Sequence, residues 1–190
     1  MLFNSYGFIF LYLPIVLAGF FFIAPRSHRF AAIWLAASSL LFYGWWIPKF
    51  VLLLLASIVF NYGAGYFIGH ARATGRSKRL LVGALIVNLT LLGVFKYSNF
   101  FIDAVNIAGA QVGLLEIVLP LGISFFTFTQ IAFLVDVHRG IAREYNFIHY
   151  LLFVTWFPHL IAGPVLHHRQ MMPQIALPTT YHFNAGSFAV

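Results

Sequence analysis

Charge is confined to short breaks between long apolar runs, and that alternation restricts this chain more than any other feature. Residues 8–24, 30–47, 50–69 and 80–95 contain no Asp, Glu, Lys or Arg, and the run 120–137 has none before Asp136. A helix of about 18 residues covers about 27 Å, most of a bilayer core about 30 Å thick. Only 8% of residues are charged and 62% are hydrophobic. Soluble domains carry about a quarter charged residues, so a water-soluble fold could not hide this much apolar surface. The predicted fold is all-α, a polytopic transmembrane helical bundle of about six spans forming a single membrane domain over 1–190.

Taken in order, span one is 8–24, stopped by Pro25, and span two is 30–47, ending in the aromatic belt Tyr43-Gly-Trp-Trp-Ile-Pro48. Span three is 50–69, span four 80–95 and span five 120–137, and span six begins near Phe147. The more polar segment 100–116, with Asp103 and Glu116, is predicted to lie along one membrane face. Met1 to Tyr6 lacks Lys and Arg, so no signal-peptide n-region precedes span one and the first span is expected to stay. With the N-terminus outside, inner loops hold Arg26 and Arg29, then Arg72, Arg76, Lys78 and Arg79, then Arg139 and Arg143. Lys49, Lys96 and Arg169 remain, and this asymmetry favours that orientation.

Several function classes are excluded or unsupported. Cysteine is absent, so no disulfide, thiolate nucleophile or Cys metal site exists. A net charge of +7 would suit nucleic acid in a soluble domain. Here the cations set topology, and no nucleic-acid partner is expected. Asp103, Glu116, Asp136 and Glu144 are the complete set of carboxylates, and no pair among them suggests acid–base hydrolysis. No phosphate-binding loop, nucleophile elbow or zinc-protease motif is present.

Polar residues inside the runs are the candidates. Pro120 suits a first helical position, where its missing N–H costs nothing. Ser124, Thr127 and Gln130 then follow at three-residue spacing and form one stripe. Lipid cannot satisfy such groups, so the stripe faces protein, as glue between helices, or a wet cavity. Gly65 and Gly69 stand four apart and permit close helix approach. The loop 70–79 reads as a topology anchor, with recognition of an anionic donor as the rarer alternative.

Span six is interrupted by Pro158 and by Gly163-Pro164, which predicts a kinked or re-entrant element lining a cavity. His159 lies within it. An ionisable group at membrane depth is a functional candidate, although a hydrogen-bonded structural histidine is the commoner case. His28, His70 and His138 lie in basic loops, and His149 opens span six. His167 and His168 are adjacent and point apart on a helix, so no metal site is expected.

The run Leu119-Pro-Leu-Gly-Ile-Ser-Phe-Phe-Thr-Phe128 closely resembles a signature of the membrane-bound O-acyltransferase family, in its bacterial branch containing the alginate O-acetyltransferases. Thr129 stands where a second glutamine beside Gln130 is usual. The resemblance extends to Phe8-Ile-Phe-Leu-Tyr-Leu-Pro14, Tyr43-Gly-Trp-Trp-Ile-Pro-Lys49 and the run from Asn88 to Phe100. It also includes Phe157-Pro-His-Leu-Ile-Ala-Gly-Pro164, with His159 where glutamine is usual. Five motifs in order make the likeness specific.

The resemblance implies a membrane-bound O-acyltransferase moving a short acyl group, acetyl above all, to an extracytoplasmic polysaccharide hydroxyl such as those of alginate. It implies no bound cofactor, an acyl thioester donor on the cytoplasmic side (acetyl-CoA is one candidate), and extracytoplasmic polysaccharide-acetylation proteins as partners. It places the protein, among membrane lipid, in a bacterial inner membrane as a multi-pass chain. Family members are more than twice as long, and their catalytic histidine belongs to a later helix, expected beyond Val190. None of the eight histidines here matches it, so no catalytic residue is assigned and the chain is expected to be the N-terminal portion of such an enzyme. Ser124, Thr127, Gln130, His159, Gly163 and Pro164 are assigned to the wall of a substrate funnel. A multi-span transporter and a non-catalytic membrane assembly subunit are the rival classes.

Overall fold

The computed structural model describes residues 5–45, 47–107, 118–142, 146–160, 171 and 177–181. Every regular element among them is helical: a π-helical turn at Phe8–Tyr12, then α1 (Leu13–Ile23), α2 (His28–Gly44), α3 (Lys49–His70), α4 (Ser77–Ile107), α5 (Ile123–Arg139), α6 (Phe147–Thr155) and the short α7 (Phe157–Leu160). Short 3-10 turns follow α3 at Ala71–Thr74 and close the described chain at Pro178–Tyr181.

Local chemistry sets the boundaries. Pro14 has no N–H to donate, and the turn before it widens so that the Leu13 N–H reaches Phe8 O, five residues back. Ser27 caps α2 by accepting from the Phe30 N–H, and Asn146 caps α6 by accepting from the Ile148 N–H at 3.0 Å. Gly140 ends α5 with φ +78°, the left-handed conformation that glycine adopts without a Cβ penalty.

α3 packs between α4 and α5, α4 also meets α5, and α2 packs against α1 and α6. The main core joins Leu54 and Ile58 of α3 to Phe126, Phe133 and Leu134 of α5 and to Tyr150 and Phe153 of α6. α1 and α2 are tied by two side chains that donate to backbone carbonyls: Trp34 Nε1 to Val16 O at 3.0 Å, and the Tyr12 hydroxyl to Ser38 O. Glycine permits the close approaches. A Cβ on Gly19 would stand 2.6 Å from the Trp34 ring, and one on Gly65 would stand 2.7 Å from Phe133.

The outer faces are apolar. Leu52 is 74% exposed and Ile107 is 88% exposed, and Phe10, Phe22, Phe67 and Phe100 also face outward. Residues 49–74 and 77–107 are long and apolar enough to cross a membrane, and 8–23 form a shorter apolar helix.

Two sequence expectations are corrected. Residues 96–99 do not end the fourth span, because α4 runs without a break to Ile107, 31 residues in all. Ser98 keeps the helix by donating to Val94 O at 2.6 Å, and Lys96 lies over the Tyr97 ring outside it. The part of the predicted surface segment from 100 to 107 is therefore α4 itself, and 108–117 lie outside the described residues. Pro120 is not the first helical residue of α5. Its carbonyl accepts from the Ile123 N–H at 3.2 Å and closes a turn in which Gly122 takes φ +69°. The interruption expected at Pro158 is present: the helix breaks at Trp156, whose ψ of 106° leaves the helical region just before Phe157-Pro158, while Gly163-Pro164 lies outside the described residues.

Candidate functional site: a buried polar network

Five polar side chains from four helices meet inside the bundle. Ser57 and Asn61 lie one turn apart on α3, Asn88 comes from α4, Gln130 from α5 and Tyr150 from α6. Each is buried, with Asn61, Gln130 and Tyr150 at 0% exposure.

The hydrogen bonds form one chain across the bundle. Asn61 Nδ2 donates to Asn88 Oδ1 at 3.0 Å, and Asn88 Nδ2 donates back to Asn61 Oδ1 at 2.8 Å. The remaining amide protons go to backbone: Asn61 Nδ2 to Ser57 O at 3.0 Å, and Asn88 Nδ2 to Ala84 O at 2.8 Å. Gln130 Nε2 donates to Ser57 Oγ at 2.9 Å, and the Tyr150 hydroxyl donates to Gln130 Oε1 at 3.4 Å. Both amide protons of each asparagine are thus used. An unpaired amide in an apolar medium is costly, so each partner fixes the register of the others.

This network positions helices and carries no general base. Amides do not titrate, and neither hydroxyl bonds to a histidine or carboxylate among the described residues. Three of the described histidines stand at helix ends or beside the terminal turn. His138 Nδ1 is 2.7 Å from Ser77 Oγ, His70 Nδ1 is 2.8 Å from Tyr66 O, and His28 stacks on Tyr181 at 4.3 Å. Burial pushes the Tyr181 phenol pKa up.

The stripe assigned from sequence divides along α5. Gln130 belongs to the network. Thr127 is fully buried one turn earlier, and its hydroxyl has no partner among the described residues. Ser124 is half-buried another turn back. Thr129 shares the condition of Thr127, as does the Tyr43 hydroxyl. His159 falls in α7, and Gly163 and Pro164 lie outside the described residues. His149 is half-buried on α6, and His167 and His168 lie outside the described residues. Val190, beyond which the catalytic histidine is expected, also lies outside them.

The helix break has a cavity beside it. Trp156, Phe157 and Pro158 line a space of about 360 Å³ with Phe8, Leu13, Val16 and Leu35. A smaller one, about 140 Å³, lies between Tyr43, Ile47 and Phe50 and the turn residues Leu119 and Leu121. The first is walled by apolar side chains throughout and would accept hydrocarbon rather than sugar.

Sequence comparison supplies what this geometry does not. The chain is 40% identical to the probable alginate O-acetylase AlgI of Pseudomonas aeruginosa over 92% of its own length. It is 40% identical to that of Azotobacter vinelandii over the same share. Against the peptidoglycan O-acetyltransferase of Helicobacter pylori it is 34% identical over its full length. The chain belongs to this O-acetylase family. It spans 34% to 41% of the length of these relatives. No family model matches the chain, and no solved structure is significantly similar to it.

Four of the five network residues went unassigned from sequence. Ser57 and Asn61 at four-residue spacing inside an apolar run, and the lone amide Asn88 inside another, were the available signals. Their pairing across helices had no sequence signature.

Proposed function

We propose that the chain is part of a membrane-bound O-acetyltransferase that transfers acetyl groups to hydroxyls of an extracytoplasmic polysaccharide. The observation that carries this reading is its 34–40% identity to polysaccharide O-acetylases over 92% or more of the chain. A single domain crosses a bacterial inner membrane about six times, with α1, α2, α5 and α6 joining the two longest helices. The acyl group arrives as a thioester on the cytoplasmic side, and extracytoplasmic partner proteins complete the transfer.

In this reading residues 1–190 build one wall of the passage, and the catalytic histidine belongs to another part of the whole protein, beyond Val190. The broken element at Trp156–Pro158 and the α5 stripe at Ser124 and Thr127 border the passage. The buried Thr127 hydroxyl without a partner among the described residues and the half-exposure of Ser124 support that placement. Gln130 holds the wall to α3 and α6.

The test is acetyl content of cell-surface polysaccharide, compared among cells with the gene intact, deleted and restored. Loss on deletion and recovery on restoration is the expected result. Unchanged acetylation in the deletion strain, where no related gene is present, would refute the proposal.

A further inference from the structure

Arg72, the turn after α3 and the end of α5 form a cationic face whose neighbours are lipid-facing. α3 and α4 are the two helices long and apolar enough to cross a membrane, so the turn joining them, with Arg72, Arg76, Lys78 and Arg79 at or beside it, stands at one membrane face. α5 ends at the same level. Ser77 Oγ meets His138 Nδ1 at 2.7 Å, and Arg72 Nη2 donates to Arg139 O at 3.5 Å.

Arg72 is held in place. Its guanidinium lies directly over Gly140, where an added Cβ would collide with Nη1 and Nη2. The cation thus sits at the negative end of the α5 dipole. Arg72, Arg76, Lys78, Arg79 and Arg139 are all exposed, and none forms an ion pair among the described residues. Asp136, the one described carboxylate on α5, is half-buried a turn further in and pairs with none of them. Around this face the side chains turn apolar at once: Tyr66 and Phe67 on α3 and Leu80 and Val82 on α4 all point outward.

We propose that this face binds the phosphate headgroups of anionic phospholipids, whose acyl chains lie along the outer sides of α3 and α4. Unpaired cations supply the charge complement, and the adjoining apolar faces distinguish a lipid from a soluble phosphate. The inference rests on α3 and α4 crossing a membrane and not on acetyl transfer, so the two proposals fail separately.

The full chain reconstituted in phosphatidylcholine vesicles, with trace spin-labelled phosphatidylglycerol or spin-labelled phosphatidylcholine, reads the preference directly as the fraction of motionally restricted label. The parent should favour phosphatidylglycerol severalfold. Arg72→Gln with Arg139→Gln should remove most of the preference. Arg76→Gln with Arg79→Gln, at exposed positions whose side chains form no hydrogen bond or ion pair among the described residues, should lower it without disturbing helix content. Lys49→Gln with Lys96→Gln, toward the opposite ends of α3 and α4, should leave it intact. A parent without preference, or a preference unchanged in both arginine pairs, overturns the proposal. Release of the label by millimolar inorganic pyrophosphate overturns it too, and reassigns the face to a soluble phosphate-bearing ligand.

Discussion

Asn61 and Asn88 exchange amide hydrogen bonds across the α3–α4 interface, at 3.0 and 2.8 Å, inside a pair of helices whose outer faces are almost wholly apolar. Two amides that each satisfy the other make a self-contained pair. Removing one leaves its partner stranded in an apolar medium, whereas removing both leaves neither.

That asymmetry is measurable. Asn61→Leu and Asn88→Leu should each destabilise the protein, and the double substitution should cost less than their sum. The coupling should be on the order of 1 kcal/mol, as for interhelical hydrogen bonds in membranes. Unfolding in mixed micelles, followed through a double-mutant cycle, checks it. Strict additivity would mean that the reciprocal pair contributes nothing.

Gln130→Leu should lower stability and acetylation together. It removes the acceptor of the Tyr150 hydroxyl and the donor to Ser57 Oγ, with a cost of roughly 1–3 kcal/mol for the stranded groups. Activity per folded molecule should change little. Ile131→Ala serves as the packing control. An activity loss far larger than the loss of folded protein would place Gln130 against substrate instead.

Gly65 and Gly63 should respond in opposite ways to alanine. A Cβ at Gly65 meets the Phe133 ring at 2.7 Å, while one at Gly63 meets nothing within 4 Å. Gly65→Ala should cost about 1–3 kcal/mol through overpacking. Gly63→Ala should be neutral or stabilising by up to about 1 kcal/mol, as expected within a helix. Phe133→Leu should restore part of the Gly65→Ala loss. Thermal unfolding of the four proteins decides the matter, and equal midpoints for both alanine variants would contradict the packing.

Single cysteines at Trp45 and Thr74, exposed residues beyond opposite ends of α3, should label from opposite sides of intact cells. Ser77, although near the same turn, is buried against His138 and unsuited to labelling. The native chain has no cysteine to interfere. Labelling of both positions from the same side would rule out α3 as a span.

The helices themselves were legible because charge marks their limits. The runs 30–47 and 50–69 fall within two or three residues of α2 and α3, since backbone in an apolar medium has few alternatives to a helix. Polar residues inside a helix imitate its ends. Lys96 and Ser98 resemble a loop, yet one reaches outward and the other bonds back to its own helix. Pro120 resembles a helix start, but left-handed Gly122 places the start one residue beyond itself. The polar stripe on α5 was readable from spacing. Its partners were not, because Ser57 and Tyr150 lie far from Gln130 in sequence and only packing brings them to it.

At 31 residues, α4 is about 46 Å long, half as long again as a hydrocarbon core of about 30 Å. Tilting by about 40°, the upper end of the usual range, would accommodate only about 26 of those residues. With α4 crossing a membrane as proposed, several residues at one end would rise into the headgroups, and the charge of Asp103, costly in hydrocarbon, favours the end far from Ser77. A thicker bilayer would draw Phe100 and Phe101 inward, and a thinner one would release them. The resting angle of α4, and of the helices that share its polar core, is thus coupled to the thickness of the host membrane.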